Sequence, residues 1–153
     1  MEIKEGSKLK GTLIIDHYDK DGKLKAHNVY NNLIVNSGIA LLAALCAGTA
    51  TTPIIAMAVG TGTVAAASTD TALQTEVMRG ATTNTIATTT ITNDTGVYVT
   101  TFSFTATYAI TEEGLFTSTT ASSGIMLSHR VFSAYNVVSG DTLAITHKIQ
   151  SLA

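Results

Sequence analysis

Apolar and polar residues alternate along much of this chain with a period of two, the spacing that places successive side chains on opposite faces of a strand. Thr12-Leu13-Ile14-Ile15 and Leu24 through Val29 flank Asp19-Lys20-Asp21-Gly22, and an Asp-Gly step between two such runs specifies a β-hairpin. After Pro53 the run Ile54 to Val59 reads as a buried strand ending at Gly60-Thr61-Gly62-Thr63. Two long strands follow, Ala81 to Thr92 and Gly96 to Ala109, joined at Asn93-Asp94-Thr95-Gly96. In the second, Val97, Val99, Thr101, Ser103 and Thr105 share one face and Tyr98, Phe102, Phe104 and Tyr108 the other, so the aromatic face is expected in the core. Glu112 to Phe116, Ile125 to Ser133 and Leu143 to Gln150 complete the strands, separated by the Thr/Ser/Gly stretch 117–124 and by Ser139-Gly140-Asp141.

One segment breaks this rhythm. Ile39 to Ala47 is an Ala/Leu run of high helix propensity, with Asn36 or Ser37 available as N-terminal cap and Gly48 as left-handed C-terminal cap. Its apolar residues surround the axis rather than striping it, which predicts a helix mostly buried beneath a sheet or at a subunit contact. Asp70 to Val77 reads as one short helical turn capped by Ser68 or Thr69. Strands at hairpin-like intervals without strand–helix alternation give the expected fold: mainly β, an antiparallel β-sandwich or barrel with one buried α-helix near residues 37–47. No linker or repeat divides residues 1–153, so one domain is expected, with 1–30 a charged N-terminal arm and hairpin.

Charge is unevenly spread. Only 13% of the 153 residues are charged, and six of the seven lysines lie in the first 25 positions. Thr, present 27 times, supplies most of the remaining polarity; a β-branched neutral residue keeps a strand polar without repelling another copy. That pattern suits either self-association or a solvated Thr-rich sheet. A net charge of -2 offers no footprint for nucleic acid, and the longest apolar run is about half the ~20 residues a membrane helix needs. The charged start, Met1-Glu2-Ile3-Lys4-Glu5, does not resemble a secretory signal, and a single cysteine, Cys46, excludes an internal disulfide and suits a reducing cytosol. Cys46 reads as a packing residue.

Candidate chemistry is sparse. Gly60-Thr61-Gly62 lacks the third glycine and immediate helix of a dinucleotide loop, and Asp19, Asp21 and Gly22 lack the later ligands of a calcium loop. His17, His27, His129 and His147 show no metal-ligand spacing; His17 and His27 are expected at the surface or facing each other across the hairpin. Ser128 and His129, and likewise Glu112 and Glu113, are strand neighbours whose side chains point to opposite faces and cannot act as a pair. No catalytic residue, cofactor or metal is therefore expected. Glu76 and Arg79 can pair along a helical turn and, with Asp70, anchor the loop after Gly62; an ordinary exposed pair is the alternative. Arg130 stands alone among apolar residues, free to pair with Glu112 or Glu113 or to meet solvent.

The order of several segments resembles a family of small virion structural proteins of tailed bacteriophages. It is carried by Asn32 to Gly38 before the Ala/Leu helix, Ile55 to Thr63, Ser68 to Leu73 with Glu76 and Arg79, Ile110 to Phe116, Leu127 to Phe132, and Gly140-Asp141-Thr142-Leu143. The resemblance covers residues 29–150 and implies a non-enzymatic protein of the virion, made in the host cytoplasm: a capsid decoration (cement) protein, or a neck, tail or fibre component contacting a host surface. Implied partners are the major capsid protein or another virion protein, and further copies of the chain, a trimer being favoured. On this reading Lys4, Lys8 and Lys10 are the expected capsid contacts, and Val97, Val99, Thr101 and Arg130 the expected oligomer contacts. A sugar-binding or enzymatic β-sandwich is a third class, and would show a concave cleft with aromatic or paired carboxylate residues.

Overall fold

The computed structural model describes residues 8–152. Among these residues nine strands run in chain order with a single helix: β1 (Lys8–Tyr18), β2 (Leu24–Ile34), α1 (Asn36–Cys46), β3 (Ala56–Gly60), β4 (Glu76–Ala81), β5 (Thr83–Ala87), β6 (Thr95–Ser103), β7 (Tyr108–Phe116), β8 (Met126–Val137) and β9 (Thr142–Leu152). All pairings are antiparallel, in the spatial order β4-β3-β7-β8-β2-β1-β9-β6-β5. The fold is mainly β, a nearly closed barrel-like sheet with one helix. Its two ends meet because β4 and β5 are consecutive, separated only by Thr82, and Thr100 Oγ1 donates to the Ala81 carbonyl across the corner.

The hairpin forms as its turn residues require. Gly22 adopts φ +79°, and Asp19 Oδ1 accepts the amides of Asp21 and Lys23. β1 is not a free arm: it pairs along its length with β9 and continues into β2. Alternation sends Leu13 and Ile15 inward, where they meet Met57, Val59, Phe102, Phe104, Ile110, Leu115, Leu143 and Ile145 in the core. The aromatic face of β6 is the inner one at Phe102, and Phe104 just past its end is buried on the same side, while Val99 and Thr101 face out.

Several expectations change. The strand expected over Ala81 to Thr92 ends at Ala87, because Asp94 collects the amides of Thr89, Thr90 and Ile91 into a tight loop. These bonds to the charged form hold the Asp94 carboxyl far below its usual range. β6 ends at Ser103, and the chain turns before β7. The helical turn over 70–77 is absent; those residues turn and then enter β4.

The helix stands where expected but is less buried. Gly38 and Leu41 are its buried residues, whereas Ile39, Ala40, Ala43 and Cys46 are exposed. Cys46 is thus a surface thiol, because it falls on the outer side of the last turn. Val35 occupies the N-cap without a side-chain bond, and Ser37 Oγ instead donates to the Met126 carbonyl of β8. At the other end Gly48, φ +68°, donates to Leu45 O, and Thr49 N to Ala44 O, the double bond pattern of a Schellman cap. A Cβ on Gly38 would lie 2.2 Å from the Leu127 carbonyl oxygen, so only glycine lets α1 approach β8 this closely. No helix among the described residues is long and apolar enough to cross a membrane.

Candidate functional site

Adjacent residues of β7 send their carboxylates to opposite sides of the sheet, and each meets a histidine. On the outer side Glu112 is fully buried beneath the segment 61–75. Its Oε1 accepts the amides of Gly62 (2.9 Å) and Thr75 (2.8 Å), and its Oε2 the amide of Gln74 (2.9 Å) and Nε2–H of His129 (3.1 Å). His129 Nδ1–H donates to Asp70 at 2.7 Å, so one imidazolium bridges two carboxylates. Burial alone would lower the His129 pKa, but Glu112 and Asp70 overcome it and raise it. Burial would raise Glu112 and Asp70; His129 and the backbone amides hold both below their ordinary values. Gly60 and Gly62 let the loop close over this carboxylate, since a Cβ at either position would meet Glu112 Oε1 at 2.5 or 2.6 Å.

Glu76 and Arg79 form a bidentate pair (2.8 and 2.7 Å) on β4 rather than along a helix. Residues three apart face opposite ways on a regular strand, but the pairing slips between Val59 and Gly60, so one extra residue brings both to one face. Arg79 also donates to the carbonyls of Ser118 and Ser123 and lies over the Phe116 ring, anchoring the 117–124 loop rather than the loop after Gly62. The pair is largely shielded from solvent, not an ordinary exposed one. Asp70, through Ala67 N and His129, holds the loop after Gly62.

On the inner side Glu113 Oε1 accepts Nδ1–H of His147 at 2.9 Å, and His147 Nε2 accepts from Asn32 Nδ2 at 2.6 Å. Ser128 Oγ lies 3.4 Å from the same nitrogen, giving the order of an acid, base and nucleophile. Glu113, His147 and Ser128 are all fully buried, and Asn32 engages the lone pair a base would use, so the arrangement is a structural relay. Gly11 makes room for it: a Cβ there would overlap the Asn32 side chain. Arg130 lies directly opposite Glu113 on β8, yet Glu113 is held by His147 and the guanidinium lies over the Tyr30 ring, 5.5 Å from its centre.

The solvent-facing chemistry sits where β2 leaves β8. These strands pair only at Leu33 with His129 and Ile34 with Ser128, then diverge. The wedge between them is a cleft of about 560 Å³ lined by His17, Lys25, Ala26, Asn28, Tyr30 and the segment Ser133 to Asn136. Tyr30 stacks on Phe132, and Phe132 meets Tyr135 edge-on. Asn28 Nδ2 donates to the Tyr135 hydroxyl at 2.8 Å, which lies 3.0 Å from that of Tyr30. Burial is the first cause that raises the Tyr135 pKa, and Tyr30 adds to it. At the other end Asp141 Oδ2 accepts from His17 Nε2 (2.8 Å) and Lys25 Nζ (3.1 Å), bonds that hold its carboxyl below the usual range. His17, expected at the surface or opposite His27, is only 4% exposed; across the hairpin His27 instead pairs with Asp16, while His17 lies opposite Ala26.

The residues expected as contacts do not form one patch. Lys4 lies outside the described residues, while Lys8 and Lys10 are exposed on β1. Val99, 38% exposed, and Thr101 face solvent on β6, with Thr83 of β5 directly opposite Val99; the exposed Ile86 of β5 lies opposite Gly96 and points to the other face. Val97 is only 8% exposed, being covered within its own chain, and Arg130 is half-buried on β8, four places from β6 in the strand order. Sequence reasoning missed the cleft; His17 and Tyr30 at inward positions of the hairpin were the available signal. Among the described residues no group of three or more His, Cys, Asp or Glu is arranged to hold a metal ion. No family model, curated protein or solved structure matches the chain.

Proposed function

We propose that this chain is a non-enzymatic virion structural protein of a tailed bacteriophage, an oligomeric decoration protein that binds the outer capsid surface and stabilises it. The observation that carries this reading is the outer wall of β5 and β6, where Val99, Thr83, Thr85 and Thr101 present an exposed, uncharged, Thr-rich surface at the edge of the sheet. An edge strand without Lys or Pro is open to pairing with another chain. Closed symmetry would use that edge, and many weak contacts per shell would sum to firm attachment. Lys8 and Lys10 project from the outer face of β1 and supply the charge for an acidic capsid surface.

The polar cleft between β2 and β8 favours a second reading, a neck, tail or fibre component that touches a host surface. Light scattering on the purified chain, followed by cryo-electron microscopy of decoration-stripped phage heads mixed with it, separates the two. Regular density over the capsid lattice is the outcome expected for decoration, weakened by Lys8→Glu with Lys10→Glu. Bare heads with density at the neck or tail would move the protein to the second role. A monomer that binds neither would overturn both, and an oligomer unchanged by Val99→Asp would free the β6 wall from the contact.

A further inference from the structure

We propose that the wedge between β2 and β8 is a binding cleft for a neutral saccharide, a ligand the decoration role does not require. The cleft exists because two strand edges part after only two residue pairs, leaving the inner face of β2 at Ala26, Asn28, Tyr30 and Asn32 incompletely covered. Its volume, about 560 Å³, falls within the range typical of small-ligand sites. The walls mix polar and apolar groups, and the polar ones offer both donors and acceptors. Asn28, Tyr30, Ser133, Tyr135 and Asn136 line it, and the linked Asn28 amide and Tyr135 and Tyr30 hydroxyls stand among them.

Charge selects among polar ligands. Asp141 is 2% exposed and its carboxylate is already matched by Lys25 and His17, so the cleft carries no uncompensated carboxylate to hold a cation. Lys25 is paired with that same Asp141, so the two charges offset each other and give an anionic ligand no isolated cation. Sugar hydroxyls, each both donor and acceptor, match this lining, and the non-polar faces of a sugar ring suit Ala26 and Ala134 between the polar groups. The hydroxyl relay from Asn28 through Tyr135 to Tyr30 is held in place by the Phe132 packing, so the donors are oriented before a ligand arrives.

The test is a titration of the isotopically labelled full chain, followed by its amide NMR spectrum. The probes are glucose, galactose, N-acetylglucosamine and their disaccharides, with glycerol as control. At least one sugar is expected to give saturable shifts at residues 25–30 and 133–136, with a Kd of about 1 mM or tighter. Asn28→Ala should weaken that binding about tenfold. Asn136→Arg, at an exposed wall position that leaves the relay untouched, should block it while preserving the rest of the spectrum. The proposal is overturned if no sugar shifts these amides, if glycerol shifts them equally, or if Asn136→Arg binds as the parent does. Saturable shifts there from an unrelated peptide, with none from any sugar, would also overturn it.

Discussion

Replacing Glu112 with Gln should cost about 3–5 kcal/mol. Four donors converge on this buried carboxylate, two on each oxygen. A Gln side chain keeps one acceptor oxygen and turns an N–H₂ group toward the other two donors. Two bonds to a charged acceptor, each worth about 1.5–3 kcal/mol, are lost, and two donors are left facing a donor. The sum agrees with the cost of breaking one member of a buried ion pair, about 3–5 kcal/mol. A domain of this size has roughly 5–15 kcal/mol in total, so the variant should unfold at a much lower urea concentration with an unchanged slope. Circular dichroism during urea titration reads this directly. Glu113→Gln is the internal control: the same chemical change one residue away, where only His147 donates to the carboxylate, should cost less. A loss under about 1 kcal/mol at Glu112, or a larger loss at Glu113, would refute the argument.

The same cluster sets a pH dependence. The His129 pKa is raised on folding, so its contribution is fully present below about pH 6.5 and fades as pH rises through the folded value. Glu112 and Asp70 are lowered, so theirs is present above about pH 4.5 and fades as pH falls through their folded values. Stability should therefore be greater near pH 6 than near pH 8, and His129→Gln should flatten that slope when urea midpoints are compared at both values. Gly38→Ala should destabilise by about 1–3 kcal/mol despite alanine's better helix propensity, because the new methyl meets the Leu127 backbone; a thermal midpoint at or above the parent's would contradict this. Cys46 should react stoichiometrically with a thiol reagent in the folded protein, whereas a thiol silent until denaturant is added would place it inside.

What could be read in the sequence was local. Asp21-Gly22 names its own turn, the β6 alternation names its inner face, and Gly48 ends the helix through its positive φ. The turn expected over 70–77 rests on a cap at Ser68 or Thr69 that does not form a helix, and the pair Glu76 and Arg79, three apart, matches helical spacing; only the slip opposite Gly60, set by pairing with β3, brings them together on β4. The histidine clusters are non-local in the same sense. Glu112 meets His129 and Asp70 only through the β7–β8 register and a loop folded over both, and His147 reaches Glu113 across the barrel. The cleft is least legible of all, because it depends on where two strands stop pairing, and no spacing in either strand marks that point.

The pairing of β1 with β9 has a consequence for how the molecule is made. Leu13 lies opposite His147, so β1, made before every other strand of this sheet, waits for β9 before its second edge is satisfied. Until then the β1–β2 hairpin is at best marginally stable in water, and its inward Leu13 and Ile15 are exposed to neighbouring nascent chains. Closing such a long loop is slow, on the order of milliseconds to seconds for sheets of comparable topology. A cell producing many copies at once would thus hold a population of chains in which β9 has yet to pair, whose open β1 edge is one the folded sheet never shows.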